Sequence, residues 1–285
     1  MWQEISIDVP FEYVEPISYL FDRYGFGLTL EENGPDQVTL RTYLQSDSRQ
    51  RYAHIEVGVK LASILRPLGE LTVRPLDKDE DWQNSWKSHF SLLKVGQRLA
   101  IKPSWIEYQA GPDDVVIELD PGLAFGTGYH PTTYTCLEAL EKLLTPGMKV
   151  LDLGTGSGIL TIAAVKLGAG SVVALDIDPQ AVQASRQNFR RTGIKPRVTL
   201  DQGTLPHRQA PPGEFDLALA NISARAIRER AKDLLPTLRP QGILIASGII
   251  QEQHQDAQTA LAAAGFGSIE VWPREDWITL VCRIS

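Results

Sequence analysis

Cysteine is scarce in this chain: Cys136 and Cys282 are the only two in 285 residues. They form no Cys-x-x-Cys pair and no Cys/His spacing. That removes a disulfide framework and a zinc site, leaves no metal expected, and points to a reducing compartment. Long apolar runs are missing too. Nothing approaches the ~20 consecutive apolar residues that cross a bilayer, and Met1-Trp2-Gln3-Glu4 lacks the basic start of a leader segment. A cytoplasmic protein with no membrane partner is the expectation. Basic residues are outnumbered, 28 Lys and Arg against 35 Asp and Glu, for a net charge of −7. That balance argues against direct nucleic-acid readout, which leaves a basic footprint, and is compatible with a basic protein substrate. With 43% apolar and 22% charged residues the composition is that of an ordinary globular protein. The length suits one large or two smaller domains.

Residues 1–76 read as a small α+β domain. Ile5, Ile7 and Val9 alternate as in a half-buried strand. Val14, Ile17, Phe21 and Tyr24 recur at helical spacing, and Gly25 and Gly27 punctuate the end. Strands at 28–30 and 38–40 flank the turn cluster Asn33-Gly34-Pro35. A second helical stripe, Tyr52, Ile55, Val59, Ala62 and Leu65, precedes a strand at 71–73. The order β-α-β-β-α-β is that of a ferredoxin-like unit. Nothing in it has catalytic spacing, so its expected job is to dock a partner. Residues 77–90 read as a charged linker helix, acidic at its start, with Trp82 and Trp86 four apart to pin it to a neighbour. His89 reads as a surface residue.

Residues 91–285 read as a larger α/β domain. Strands at 98–102 and 115–119 precede alternating strands and helices. The strand at 215–220 is almost wholly apolar, as buried parallel strands are. Two strands, around 269–271 and 278–281, finish the chain with no helix between them. The expected fold class is a Rossmann-like sheet of seven strands.

The run Val150-Leu-Asp152-Leu-Gly154-Thr-Gly156-Ser-Gly158-Ile159 is the most informative in the sequence. An apolar strand ends in a carboxylate, every second residue of the following turn is glycine, and a helix begins at once. Glycine lets the backbone turn and lets a ligand approach. The helix start adds unpaired N–H groups and partial positive charge. A dinucleotide fingerprint is Gly-x-Gly-x-x-Gly, and its third glycine would stand at Ile159. The carboxylate of Asp152 suits a positive sulfonium and an amino group, and repels a pyrophosphate. S-adenosyl-L-methionine fits this turn better than a nicotinamide dinucleotide, which stays as the alternative. Asp176 ends the next strand, where a carboxylate accepts both hydroxyls of a ribose. Asp178 before Pro179 reads as a helix cap.

Two further segments carry chemistry. Residues 120–133 form a glycine-punctuated loop opening a helix, with Phe125, His130, Thr132 and Thr133 near one point. Thr133 could bond a carboxylate; Thr132 could equally cap the helix. His130 could orient or deprotonate an amine, or cap the helix. Asn221 ends the strand at 215–220, at the edge where parallel strands line a ligand crevice, and could hold a nucleophilic nitrogen. The Pro-Pro-aromatic sequence that accompanies flipped nucleobases is absent after it.

These segments resemble the ribosomal protein L11 methyltransferase (PrmA) family. The likeness runs from the small first domain through Asp79-Glu-Asp-Trp82 to the C-terminus. It rests chiefly on Phe125-Gly-Thr-Gly-Tyr-His-Pro-Thr-Thr133, with Asp152–Gly158, Asp176-Ile-Asp-Pro and Ala220-Asn-Ile222 in the same order. It implies methylation, dependent on S-adenosyl-L-methionine, of lysine side chains and the α-amino group of a large-subunit ribosomal protein, up to the trimethyl state. It further implies cofactor contacts at Thr133, Gly154, Asp176 and Asn221, and a first domain that recognises the substrate. Together these readings give cofactor residues Phe125, Thr133, Asp152, Gly154, Gly156, Asp176 and Asn221, and catalytic residues His130 and Asn221. Ser223 stands where an apolar residue is expected, which leaves the shape of the amine pocket open. A non-catalytic ribosome-associated protein is a third alternative.

Overall fold

The computed structural model describes residues 2–32, 37–64, 67–76, 92–120, 128 and 130–284. It divides into two compact units, Met1–Ser91 and Leu92–Ser285. The linker reading with Trp82, Trp86 and His89, and the site residue Phe125, lie outside the described residues.

In the first unit, β1 (Trp2–Pro10), α1 (Phe11–Tyr24), β2 (Phe26–Glu32), β3 (Gln37–Gln45), α2 (Arg49–Ala62) and β4 (Thr72–Pro75) follow one another. The sheet runs β2-β3-β1-β4, every pairing antiparallel. Period-two alternation places Ile5, Ile7 and Val9 on the face that meets Ile17 and Phe21 of α1 and Ile55 and Val59 of α2, and all are buried. This is the ferredoxin-like arrangement expected from the stripes.

The second unit opens with a three-stranded sheet, β5 (Leu93–Val95), β6 (Leu99–Lys102) and β7 (Val115–Glu118). The sequence reading missed β5, which has three residues and an antiparallel partner only in β6. Then come α3 (Pro131–Leu143), β8 (Lys149–Leu153), α4 (Ile159–Lys166), β9 (Ser171–Asp176), α5 (Pro179–Arg191), β10 (Val198–Gln202), β11 (Phe215–Asn221), α6 (Ala224–Thr237), β12 (Leu238–Ile250), α7 (His254–Ala264), β13 (Phe266–Arg274) and β14 (Trp277–Ile284). The seven-stranded sheet runs β10-β9-β8-β11-β12-β14-β13. Strands β8 to β12 are parallel, and β14 inserts antiparallel between β12 and β13. This is a Rossmann-like sheet closed by a hairpin. Apolar layers cover both faces, so the strands carry buried side chains on both sides. Strand β12 runs well past the expected 242–246, because β11 pairs with it from Leu238 to Ser247 and β14 goes on to Ile249 and Ile250 beyond the irregularity after Ala246. The chain order reverses between β8 and β11. In such sheets a ligand crevice opens there, outside the carboxyl ends of the strands.

Candidate active site

Strand β8 delivers Asp152 to that crevice and hands over to the glycine turn. Gly154, Gly156 and Gly158 have φ of 78°, 56° and 85°, the left-handed region that favours glycine. Two of them are also closely packed. A Cβ on Gly154 would stand 2.3 Å from Cγ2 of Ile222, and one on Gly158 2.4 Å from the Phe189 ring. Gly158 is the residue before α4, and Ile159, 2% exposed, starts the helix as a core side chain.

The amides of this turn are already used. Gly154 and Thr155 N–H donate to the Leu175 carbonyl at 2.8 and 3.0 Å, Gly158 N–H to the Thr155 carbonyl at 2.8 Å. Gly156 N–H donates to Asp176 Oδ2 at 2.8 Å, and Ile159 N–H to Ser157 Oγ at 3.3 Å. The expectation of unpaired N–H groups facing a ligand is corrected at these five positions. The turn offers a ligand space rather than donors, and a pyrophosphate would find none of these amides free.

The two strand-end carboxylates are held differently. Asp176 is 9% exposed. Its Oδ2 accepts from Gly156 and its Oδ1 from Asp178 N–H at 3.0 Å, which fixes the plane of the carboxylate and leaves lone pairs on both oxygens. Asp178 caps α5, accepting from Gln180 N–H at 2.8 Å, as its sequence position predicts. Asp152 is fully buried. Its Oδ2 accepts from the hydroxyls of Thr155 at 2.7 Å and Thr161 at 2.6 Å, while Oδ1 has no partner among the described residues. Burial drives its carboxyl up to about 6, against the lowering effect of those two hydroxyls. The sequence reading missed both threonines. Thr161 was open to detection, because it and the terminal Lys166 are the only residues of α4 that are not apolar.

Beside β8, β11 ends at Asn221. Its Nδ2 donates to Thr133 Oγ1 at 3.2 Å, and its Oδ1 is buried and without a partner among the described residues. Thr133 is fully buried in the first turn of α3. Registry sets Leu219 beside Asp152, so both unpartnered oxygens stand at the tips of adjacent strands.

His130 caps α3. Its Nδ1 accepts from Thr132 N–H at 3.4 Å and lies 2.8 Å from the Thr132 hydroxyl. Its ring meets Trp277 edge-on, centroids 4.8 Å apart, and burial lowers its pKa to about 4. Of the roles the sequence left open, the structure gives His130 the cap and takes it from Thr132. Ser223 caps α6, its Oγ accepting from Ala226 N–H at 3.3 Å, which accounts for a polar residue after Ile222. Beneath α3 a buried hydroxyl chain, Thr135–Thr279–Ser247, ties its first turn to β14 and β12 at 2.6 and 2.7 Å. The sequence carried no signal for it, since its members lie far apart in the chain.

The family model described as Ribosomal protein L11 methyltransferase (PrmA) matches residues 1–285. A ribosomal protein L11 methyltransferase of Chloroflexus aurantiacus is 41% identical over 99% of this chain and 98% of its own. One of Herpetosiphon aurantiacus is 39% identical over the same shares. The crystal structure of a ribosomal protein L11 methylase from Lactobacillus delbrueckii subsp. bulgaricus superposes with a TM-score of 0.63 at 36% identity, covering 69% of this chain and all of that one. This chain belongs to the ribosomal protein L11 methyltransferase (PrmA) family.

Proposed function

We propose that this protein transfers methyl groups from S-adenosyl-L-methionine to amino groups of ribosomal protein L11. The amines are lysine side chains and the α-amino group, taken to the trimethyl state. One observation carries the reading: two buried acceptor oxygens, Asp152 Oδ1 and Asn221 Oδ1 on neighbouring strands, are unpartnered among the described residues. Buried acceptors left unpaired cost the free protein stability, and ligands that bring positive charge and N–H donors satisfy them. The residues present fit that cofactor. Asp176 has lone pairs for a ribose diol. Asp152 Oδ1 suits the ammonium group. Thr133, in the first turn of α3, suits the carboxylate through its hydroxyl and the positive end of the helix. Gly154 and Gly156 contribute room, and Gly156 also orients Asp176. Phe125 belongs to the same set by resemblance.

When bound, the cofactor supplies an electrophilic methyl group, so the protein's task is mainly in-line positioning. Asn221 Oδ1 accepts a hydrogen bond from the incoming amine and aims its lone pair. A lysine must first lose a proton, which burial beside a cation favours. His130 acts through the helix start it caps, by keeping Thr133 in place, and is a positioning residue. Residues 1–76 serve as the recognition module, 77–90 as the linker and 91–285 as the catalytic domain. No described helix is long and apolar enough to cross a membrane, and a ribosomal substrate sets the work in the cytoplasm.

Mass spectrometry of purified L11 after incubation with enzyme and cofactor tests the reading. Stepwise methyl increments, three on each modified amine, are expected. An unchanged L11 mass overturns it. Increments confined to other side chains overturn the amine assignment.

A further inference from the structure

One surface of the second unit gathers cations along a stretch of chain that carries no acid. Between Asp178 and Asp201 the chain has no acidic residue, yet it holds Arg186, Arg190, Arg191, Lys195 and Arg197. They lie on the C-terminal half of α5 and on the 3-10 turn Lys195–Arg197 after it, all exposed. Arg191 reaches Asp120 at 3.2 Å. The other four have no carboxylate within ion-pair distance among the described residues. Helix α6 leaves only Lys232 without an ion pair among the described residues. Its Arg225, Arg228 and Arg230 face Glu229, Asp256 and Asp233 at 2.8, 3.4 and 3.3 Å. Basic residues in the last turn of a helix complement its dipole, which accounts for Arg190 and Arg191. It leaves Arg186, Lys195 and Arg197 without a structural reason.

The composition of the patch selects its partner. The exposed face of α5 presents Gln183, Arg186, Gln187 and Arg190, while Val182, Phe189 and Ile194 are buried. Pro196 is the one exposed apolar residue among them, and no exposed aromatic side chain stands there. The face thus lacks the aromatic anchors that dominate protein–protein hot spots and the apolar side that inserts into a membrane interface. Guanidinium, ammonium and amide donors alone suit phosphate oxygens and sugar hydroxyls, contacts that hold a strand without reading bases. We infer that this face docks the sugar–phosphate backbone of RNA. That the RNA is ribosomal, presented next to the substrate, rests on the proposed function; the surface itself does not.

The test is fluorescence anisotropy of the full chain with a fluorescein-labelled RNA stem-loop across a salt series. Two variants accompany the wild type. One carries Arg186→Gln, Arg190→Gln, Lys195→Gln and Arg197→Gln. The other removes four exposed cations that already have carboxylate partners: Lys60→Gln, Lys142→Gln, Arg225→Gln and Arg228→Gln. The wild type and the second variant are expected to bind alike. The first variant should bind at least about tenfold more weakly, its log–log salt slope shallower by about 3, as loss of four phosphate contacts requires. Circular dichroism melting should show both variants folded, and methylation of isolated L11 should be unchanged. No wild-type binding at low salt overturns the inference, as does equal loss in both variants. Tighter wild-type binding to polyglutamate or to phosphatidylserine vesicles than to RNA gives the face to an acidic protein or a membrane and also overturns it. The titration needs no methyl transfer, so it stands or falls apart from the proposed function.

Discussion

If Asp152 Oδ1, unpartnered among the described residues, holds the cofactor as proposed, cofactor affinity depends on pH. Burial lifts this carboxyl from 3.8 to about 6. Between those values the folded protein holds a proton that the unfolded chain has lost. Stability that is fully present below 3.8 is therefore given up as pH rises through 6, by roughly 3 kcal/mol in the free protein. A cation at Oδ1 favours the ionised form, so binding expels the proton. Affinity should then be flat above pH 7 and weaken by about tenfold from pH 7 to pH 5, where only about a tenth of the free protein is ionised. Isothermal titration calorimetry in two buffers of different ionisation enthalpy reads this directly. Roughly one proton should leave per cofactor bound at pH 5, and almost none at pH 7. Asp152→Asn should bind more weakly at pH 7, release no proton at pH 5, and melt no lower than the wild type at pH 8, because it removes a buried charge. Equal wild-type affinity at pH 5 and pH 7, or the same proton release in Asp152→Asn, would refute the placement of a cation at that oxygen.

Replacing His130 by alanine removes a helix cap worth about 1 kcal/mol; a lower melting temperature and a raised KM for the cofactor are expected. Its ring, held to about 4 by burial, is already neutral at neutral pH, so the pH–rate profile of the variant should keep its shape there. A limb lost on mutation would return His130 to the role of base. Asn221→Ala should lower kcat by about a hundredfold through misplacement of the amine, with little change in melting; an unchanged kcat would sink its assignment. Gly154→Ala sets a Cβ against Ile222 at a φ of 78° and should cost ~1–3 kcal/mol by urea unfolding. Adding Ile222→Ala should recover the packing part and leave the dihedral part. A midpoint equal to the wild type would show that neither strain exists.

What was legible in the sequence was what repeats or is adjacent. Alternation at Ile5, Ile7 and Val9 gave a strand, helical spacing from Ile17 to Phe21 gave a helix, and the glycine run gave the turn between β8 and α4. The placement of Asp176 and Asn221 at strand ends was legible because apolar runs stop at them. Three things were hidden. Strand β5 is too short for a period to show. The fate of the turn amides depends on the Leu175 carbonyl and the Asp176 carboxylate, more than fifteen residues away. The choice of His130 over Thr132 as cap depends on which side chain of two neighbours turns back onto the helix start, and residue type does not decide that.

In the proposed reading, selection between cofactors follows from which polar groups of the crevice are already satisfied. A turn that presents free N–H groups at a helix start attracts phosphates. Here the amides of Gly154, Thr155, Gly156, Gly158 and Ile159 bond within the protein. Unmet among the described residues is the opposite kind of group, the acceptors Asp152 Oδ1 and Asn221 Oδ1. An anion would meet two buried oxygens and gain none of those five donors; a cation with N–H groups would satisfy Asp152 Oδ1 and leave Asn221 Oδ1 for the incoming amine. The free protein bears the desolvation of these oxygens, so part of its stability is withheld until a cationic ligand binds. Cofactor should therefore raise the melting temperature with concentration, as binding to the native state alone requires. A nicotinamide dinucleotide at the same concentration should leave it unmoved. If the dinucleotide stabilised the protein as much, the pattern of satisfied and unsatisfied groups would not be what selects the ligand.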